Sequence, residues 1–224
     1  MLKFLIIICG FVYTFKELYE NSKRVASGLL DMGIKRQDVV AINLRTCPEW
    51  LYITFGSMMA AAIPFSVSFT YKDGSDLIAL MEQLKTCPCL VLDPGFENET
   101  WNIVSQLLDS HSSNGSVRSK KLQSLQFLLC HDQQNALSDV KTLGELLNSR
   151  PEAKLPEIHE DDIAALFQTS GSTGVPKIVA NSHRSLLMIT NMDTTIYSID
   201  DIYLNDRPFG WMGGFPLGLF IGKR

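Results

Sequence analysis

The hydrophobic and polar positions of the chain follow two alternating periods, which predicts helices and strands in turn. Residues 14–17 (TFKE) fit a capping box, and apolar residues then recur at helical spacing up to Gly33, so this stretch predicts a first helix. The continuous apolar run at 39–42 predicts a strand that is covered on both faces. A second capping-box pattern at 46–49 (TCPE) predicts a helix that runs to about Ala62.

The same alternation continues through the middle of the chain. Further strands are predicted at 64–68, 89–92, 125–130 and 163–167, and further helices at 75–85, 101–108 and 142–148. The serine-rich stretch 110–119 has no apolar period and predicts a surface loop. Strands that alternate with helices at this spacing predict an α/β fold, in which parallel-rich sheets are flanked by helices.

The first twelve residues form an apolar lead-in of uncertain status. Lys3 followed by an apolar run is similar to the core of a signal peptide, but the run is shorter than the roughly 20 residues that span a bilayer. No small-x-small cleavage site follows, so a strand or a mis-assigned start is favoured over a signal peptide. We therefore expect no transmembrane span and an intracellular protein, either cytoplasmic or mitochondrial.

Composition and charge narrow the classes of function. The 224 residues are 46% apolar and 20% charged, which is typical of a folded protein. The net charge of −4 argues against a nucleic-acid binder, because no basic excess is available to displace counterions from phosphates. The five cysteines offer no pair of C-x-x-C motifs, so no metal site is predicted, and Cys87 and Cys89 are interpreted as buried thiols in a reducing compartment.

A loop rich in glycine and hydroxyl groups directly follows the strand at 163–167. It consists of Thr169, Ser170, Gly171, Ser172, Thr173, Gly174, Val175, Pro176 and Lys177. Glycines allow close backbone approach, successive amides form an anion-binding concavity, and the hydroxyls and the lysine add donors and positive charge. The pattern therefore predicts a phosphate-binding loop. Its spacing differs from G-x-x-x-x-G-K-[ST] and from G-x-G-x-x-G, so neither the common P-loop nor a dinucleotide fingerprint is indicated.

This loop resembles the phosphate-binding loop of the adenylate-forming (AMP-binding) superfamily, and most closely the N-terminal part of an acyl-CoA synthetase of the medium-chain or fatty-acid type. Other segments resemble the family in the same order along the chain: 13–18, 28–33, 38–42, 48–50 and 183–185. The similarity runs from about residue 13 to the end of the chain. The loop carries most of the specificity, since each of the other segments is weak alone.

The resemblance implies a two-step ligation that uses ATP, Mg²⁺ and CoA. A carboxylic acid attacks the α-phosphorus of ATP, pyrophosphate leaves, and the thiol of CoA then takes the acyl group from the adenylate. Four hydroxyl residues would donate to the β- and γ-phosphates: Thr169, Ser170, Ser172 and Thr173. Gly171 and Gly174 would allow close approach and Lys177 would balance charge. No residue of this chain is assigned as catalytic.

A second segment of interest is 206–214 (DRPFGWMGG), which resembles the part of the family that reaches the acyl pocket. Trp211 and Gly213 are the predicted acyl-pocket residues. The alternative is that Trp211 is buried and packs beside a glycine turn. His183 is predicted to lie in the first turn of a helix capped by Ser182, and a structural role is favoured for it over catalysis.

The chain departs from the family pattern at two places, and it is shorter than the family's members. Ile178 follows Lys177 where a glycine is usual, and 61–64 (AAIP) replaces a Gly-Ala-rich turn. The family's later motifs and its C-terminal lid domain are absent, so 13–224 is predicted to be an incomplete N-terminal domain. We expect a fragment with an open sheet edge, poor stability and no adenylation activity alone. Two alternatives stay open: an aryl or amino-acid adenylating enzyme, and a non-catalytic module that binds a nucleotide or a partner.

Overall fold

A six-stranded sheet with helices on both faces organises the chain. The computed structural model describes residues 5–8, 11–95, 98–131, 140–148, 154–169, 176–190 and 205–215. The strands are β1 (Leu5–Ile8), β2 (Phe11–Thr14), β3 (Val39–Asn43), β4 (Ile63–Ser66), β5 (Cys89–Leu92), β6 (Ser110–His111), β7 (Val117–Arg118), β8 (Phe127–Cys130), β9 (Ile163–Thr169) and β10 (Lys177–Ser182). The helices are α1 (Phe15–Asp31), α2 (Pro48–Met59), α3 (Ser75–Glu82), α4 (Glu99–Ser105), α5 (Leu143–Leu147) and α6 (His183–Thr190).

The main sheet has the strand order β10-β9-β4-β3-β5-β8. Its neighbouring strands are parallel except for β10, which pairs antiparallel with β9. The parallel part confirms the predicted α/β fold class. The sequence analysis did not predict β10, because its apolar run is only three residues long, at 178–180, and its residues are exposed or half-buried.

Two apolar layers cover the faces of this sheet, and β3 shows how they are separated. Val40 and Ile42 pack in the layer formed with α1, α2 and α5. Val39 and Ala41 point the other way, into the layer formed with α3 and α4. Because successive strand residues face opposite sides, a continuous apolar run such as 39–42 is what a strand covered on both faces requires.

The start of α1 forms as predicted. The hydroxyl of Thr14 accepts the backbone N–H of Glu17 at 3.1 Å, and the Glu17 carboxylate accepts the backbone N–H of Thr14 at 2.7 Å. Two otherwise unpaired amides at the helix start are thereby satisfied, which confirms the capping box.

The predicted capping box of α2 is wrong. The helix begins at Pro48, its N-cap is Cys47, and no side chain makes a capping hydrogen bond there. Proline is favoured at the first helical position because its φ angle suits a helix and its missing N–H needs no acceptor. That choice places Glu49 at the second helical position, one residue too early for a capping box. The helix also ends earlier than predicted, at Met59, because Ala61 adopts a left-handed φ of 56°.

The stretch 110–119 lies at the surface as predicted, but part of it is paired and not a loop. It forms an antiparallel hairpin of β6 and β7, in which Ser110 pairs with Arg118. Gly115 has a φ of 86° in the connecting turn, and most of the hairpin is exposed. Neither face of this short hairpin is fully buried, so its sequence is mostly polar and lacks the apolar alternation that predicts a strand.

Part of the apolar lead-in is a strand, as expected. β1 pairs antiparallel with β2, with Leu5 opposite Thr14. None of the helices in the described parts of the chain is long and apolar enough to cross a membrane.

Candidate functional site

A cavity of about 1170 Å³ lies at the carboxyl ends of β4 and β9. Three parts of the chain line it: the segment 68–80 after β4, both ends of the predicted phosphate loop, and the segment 211–213. Ligands of open α/β sheets bind outside the carboxyl ends of the strands, so the position agrees with the general rule for this architecture. The volume is somewhat above the range of about 300–1,000 Å³ that is usual for small-molecule sites.

Asp76 holds one wall of the cavity in place. This residue lies in the first turn of α3, and its Oδ2 accepts the backbone N–H of Thr70 at 2.6 Å and that of Tyr71 at 3.1 Å. The negative charge is also favourable at a helix N-terminus. The segment that leaves β4 is therefore fixed against α3, and the side chain of Tyr71 remains largely exposed beside the cavity.

Gln168 connects the two strands beneath the cavity. Its side-chain oxygen accepts the backbone N–H of Ser68 at 3.0 Å, which joins the end of β9 to the residues that follow β4. Its side-chain nitrogen is buried and has no hydrogen-bond partner among the described residues. A buried donor without a protein acceptor is costly unless a ligand or water supplies one.

The ends of the predicted phosphate loop are held close together. Thr169 and Lys177 are opposed in the β9–β10 ladder, and the Thr169 hydroxyl donates to the Lys177 carbonyl at 3.4 Å. Gln83, the C-cap of α3, donates to the carbonyl of Pro176, also at 3.4 Å. The loop thus connects two antiparallel strands at the carboxyl end of β9, and 170–175 themselves lie outside the described residues.

The predicted loop residues differ in their relation to the cavity. Thr169 and Pro176 line it. Lys177 is exposed and is not among the described residues that line it. Six predicted residues lie outside the part of the chain that the structure describes: Ser170, Gly171, Ser172, Thr173, Gly174 and Val175.

The segment 205–215 brings Trp211 to the cavity. Phe209 and Phe215 are buried, and their rings lie 5.5 Å and 5.3 Å from the ring of Trp50 in α2. These contacts anchor the segment to the core and leave 61% of Trp211 exposed at the cavity wall. The alternative interpretation of Trp211 as a buried packing residue is therefore wrong.

Gly213 and Gly214, which follow Trp211 in this segment, differ in the space available for a side chain. A Cβ atom on Gly214 would lie 2.0 Å from the carbonyl oxygen of Pro208, so no side chain fits there. A Cβ atom on Gly213 would meet only the Cγ of Arg207, at 4.0 Å. Gly213 lines the cavity, so its missing side chain leaves space for a ligand without being demanded by packing.

His183 has structural contacts and does not line the cavity. Its backbone N–H donates to the carbonyl of Asp162 at 3.1 Å, and Ser182 accepts the N–H of Ser185 at 3.2 Å as the predicted N-cap. Burial lowers the pKa of the His183 imidazole, and the nearby charge of Asp162 opposes this shift.

Sequence analysis missed most of the cavity wall, including Ser68, Tyr71, Asp76 and Gln168. None of them belongs to a recognisable motif. Ser68 and Gln168 could have been found from their position alone, since each lies at or just beyond the carboxyl end of a predicted strand. Tyr71 and Asp76 depend on how α3 folds back on the sheet, which no local pattern encodes.

Comparison with known proteins shows the family to which this chain belongs. A sequence model described as "AMP-binding enzyme" matches residues 5–222. The chain belongs to the AMP-binding enzyme family. The adenylate-forming fold inferred from the loop is thereby confirmed.

CoA ligases and acyl-CoA synthetases are among the AMP-binding relatives. The chain is 28% identical to mitochondrial acyl-coenzyme A synthetase ACSM2 of Rattus norvegicus and 26% identical to 4-coumarate–CoA ligase 2 of Solanum tuberosum. The matches cover 81% and 79% of this chain and 29% of each relative. The chain thus spans under a third of the length of these relatives.

Solved structures of AMP-binding enzymes share the fold. ATP-bound MatB from Rhodopseudomonas palustris matches with a TM-score of 0.69 at 21% identity, over 97% of this chain and 41% of that one. The sheet described above is therefore part of the adenylate-forming fold.

Proposed function

We propose that this chain provides the ATP-phosphate site and part of the acyl pocket of an acid–thiol ligase. The reaction would join a carboxylate oxygen to the α-phosphorus of ATP with release of pyrophosphate, and the thiol of CoA would then displace AMP from the acyl group. The observation that carries the proposal is the cavity itself, because Thr169 and Pro176 of the loop line it together with Trp211 and Gly213. ATP and an acid bound in this cavity would have the α-phosphate and the carboxylate close together.

The phosphate end of ATP is assigned to the loop. We assign donation to the β- and γ-phosphates to the hydroxyls of Thr169, Ser170, Ser172 and Thr173, close approach to Gly171 and Gly174, and charge balance to Lys177. The side-chain nitrogen of Gln168 has no hydrogen-bond partner among the described residues, and this supports a ligand here, since it offers one more buried donor beside the loop. Donors fixed before the reaction stabilise the charge that develops on pyrophosphate.

Magnesium would be held mainly by the phosphates. Asp76 is the one carboxylate among the described residues that line the cavity, and its oxygens already accept backbone N–H groups. Mg²⁺ commonly binds through one or two carboxylates together with substrate phosphates. The described wall therefore fits a nucleotide-bound ion better than an ion held by protein alone.

The acyl part of the proposal is a fatty acid. Trp211 and Gly213 lie at the cavity together with apolar side chains of Phe167, Val179 and Met212. Apolar walls of this kind favour the hydrocarbon part of an acid. A second candidate is an aryl acid, because relatives named 4-coumarate–CoA ligases match the chain and Tyr71 adds another aromatic ring to the wall.

The wider context of the domain is also part of the proposal. We assign residues 13–224 to the adenylation domain, where they contribute the loop and the sheet edge beside it. An intracellular site of action, cytoplasmic or mitochondrial, follows the rat relative, whose name places it in mitochondria.

Acid binding can be followed by the fluorescence of Trp211. Trp211 is exposed at the cavity whereas Trp50 is buried, so a bound acid should change mainly the emission of Trp211. We expect saturable changes with medium-chain fatty acids in the presence of ATP and Mg²⁺, and loss of the change in Trp211→Phe. Trp101→Phe is the matched control and should retain it.

The choice of acid panel separates the candidates. Saturation by hexanoate or decanoate supports the fatty-acid proposal, whereas saturation by 4-coumarate alone supports the aryl candidate. A wild-type protein whose emission responds to none of these acids would refute the acyl-pocket assignment. Acid-dependent pyrophosphate exchange would then test whether binding leads to the adenylate.

A further inference from the structure

A second cluster of reactive side chains lies over the other half of the sheet. Cys47 and Glu49 lie at the start of α2, which follows β3, and His131 immediately follows β8. The phosphate-side cavity lies instead at β4 and β9, so the two places are separated along the same sheet edge. The cluster plays no part in the function proposed above.

Three different ligand types converge in this cluster. The Cys47 sulfur, a Glu49 carboxylate oxygen and a His131 ring nitrogen all lie within 4.8 Å of one another. The His131 Nε2 and Glu49 Oε2 atoms are 3.4 Å apart. Nitrogen and oxygen ligands at about 2.05 Å from a tetrahedral zinc ion are separated by roughly 3.3 Å, so this pair already has the required spacing.

The scaffold holds these ligands from two directions. The backbone N–H of His131 donates to the carbonyl of Leu92 at 2.9 Å, which fixes the histidine against β5. Cys47 is the N-cap of α2 and Glu49 lies in its first turn, so one helix start carries two of the three ligands. Closing the sulfur onto a shared ion needs a shift on the order of 1 Å, which a side-chain rotation can supply.

The Glu49 carboxylate and the His131 ring form an ion pair in this cluster. Hydrogen bonds with Cys47 and then with Glu49 raise the pKa of His131 to about 10, against the opposing effect of burial. The hydrogen bond from His131 likewise lowers the pKa of Glu49. A divalent ion bound between these groups would have to displace that proton.

From this geometry we propose that Cys47, Glu49 and His131 form a zinc site with three protein ligands. Thiolate, imidazole and carboxylate together suit Zn²⁺, whereas Mg²⁺ and Ca²⁺ prefer oxygen ligands alone. A thiolate and a carboxylate balance the two charges of the ion. The Glu49 and His131 side chains are 32% and 25% exposed, so water can reach the fourth position. The ion would tie the start of α2 to the end of β8.

Zinc titration of the purified full chain tests the site. The protein is reduced, stripped with a chelator, and titrated with Zn²⁺ against a competing fluorescent chelator. We expect one equivalent per chain for the wild type, and a loss of affinity of at least about 100-fold in Cys47→Ser and in His131→Gln, since even outer-shell partners are worth 10- to 100-fold. Co²⁺ should give a thiolate charge-transfer band that Cys47→Ser lacks.

The matched controls change the same residue types elsewhere. His111→Gln and Cys87→Ala alter an exposed histidine and a buried cysteine outside the cluster, and both should bind zinc like the wild type. A wild-type measurement remains informative even if the ligand variants fail to fold. Zn²⁺ should slow alkylation of Cys47, as located by mass spectrometry, and Mg²⁺ should not.

Three results would overturn the zinc proposal. One is stoichiometric binding that persists unchanged in both ligand variants. Another is the absence of a one-equivalent site in the wild type. The third is alkylation of Cys47 that Zn²⁺ does not slow, which would make the cluster an activated thiol and not a metal site.

Discussion

The backbone of Ala61 is unusual for its residue type. Its φ of 56° lies in the left-handed region, where an L-residue other than glycine is strained by about 1–2 kcal/mol. The conformation is held because the carbonyl of Ala61 accepts the N–H of Gln37 at 2.7 Å and the next residues enter β4. The departure of 61–64 from the family's Gly-Ala-rich turn therefore has a cost at one identifiable residue.

Substitution to glycine should expose this strain. Ala60 and Ala61 are both buried, so each glycine variant loses one packed methyl group and gains the same freedom in the unfolded chain. Ala60 has an ordinary φ of −81°. We expect Ala60→Gly to lose roughly 1–2 kcal/mol of unfolding free energy, and Ala61→Gly to lose about 1–2 kcal/mol less than that. Urea denaturation would measure both, and equal losses would contradict the assignment of strain.

The pKa of His183 predicts a specific dependence on pH. Burial lowers this pKa in the folded protein, so the unfolded chain binds the proton more readily. Stability should therefore be complete above about pH 6.5 and fall as the pH drops from there toward the lower folded pKa. His183→Gln should flatten this part of the stability profile. His111→Gln is the control, and an NMR midpoint of His183 at or above 6.5 would refute the prediction.

Helices α1 and α2 approach each other closely at one glycine. A Cβ atom on Gly56 would lie 2.7 Å from the Cγ1 of Val25 and 2.9 Å from the backbone oxygen of Ser22. The second contact involves helix backbone, which cannot move aside as a flexible side chain can. The pairing of the two helices therefore depends on the missing side chain.

Gly56→Ala should separate these helices in spite of the better helix propensity of alanine. Overpacking costs about 1–3 kcal/mol and alanine returns about 1 kcal/mol, so we expect a net loss of up to roughly 2 kcal/mol. Gly144→Ala in α5 is the matched control, because a Cβ there meets only the Thr142 hydroxyl at 3.7 Å. The control should be neutral or stabilising. Thermal denaturation that shows Gly56→Ala to be no less stable than the wild type would contradict this account.

The sequence patterns predicted those elements whose determinants lie within a few consecutive residues. The apolar run 39–42 and the strand 89–92 were found because both faces of each are buried, and the Thr14 capping box because its partners are three residues apart. The strand β10 was missed because its pairing partner β9, and not its own sequence, makes it a strand. The start of α2 was misplaced because Pro48 outweighed the capping pattern.

At the scale of the whole molecule, the strand order brings distant segments to one edge of the sheet. The sequence predicts that the loop after β9 binds phosphate, but it does not predict the neighbours that Tyr71 and Asp76 supply, since these residues reach the cavity through tertiary packing. The same holds for His131, whose proximity to Cys47 depends on the β3-β5-β8 order. Motif spacing along the chain does not reveal a site built from separate strands.

Apolar side chains are exposed at the edge of the sheet that β10 forms. β10 is the last strand of the sheet in the described part of the chain, and Val179 on it and Met188 on α6 are 41% and 63% exposed. The backbone groups of an edge strand can pair with another strand, and exposed apolar side chains beside it can pack against that strand. The cavity lies at this same end of the sheet, since Val179 lines it.

The central claim is that the loop from Thr169 to Lys177 binds the phosphates of ATP, and calorimetric titration of ATP with Mg²⁺ tests it most directly. We expect a single site in the wild type. Lys177→Ala should bind about 10- to 100-fold more weakly, because a charge-assisted contact is worth about 1.5–3 kcal/mol. Lys154→Ala, which removes another exposed lysine, should bind like the wild type. The claim is contradicted if the wild type binds no ATP, or if all three proteins bind it equally.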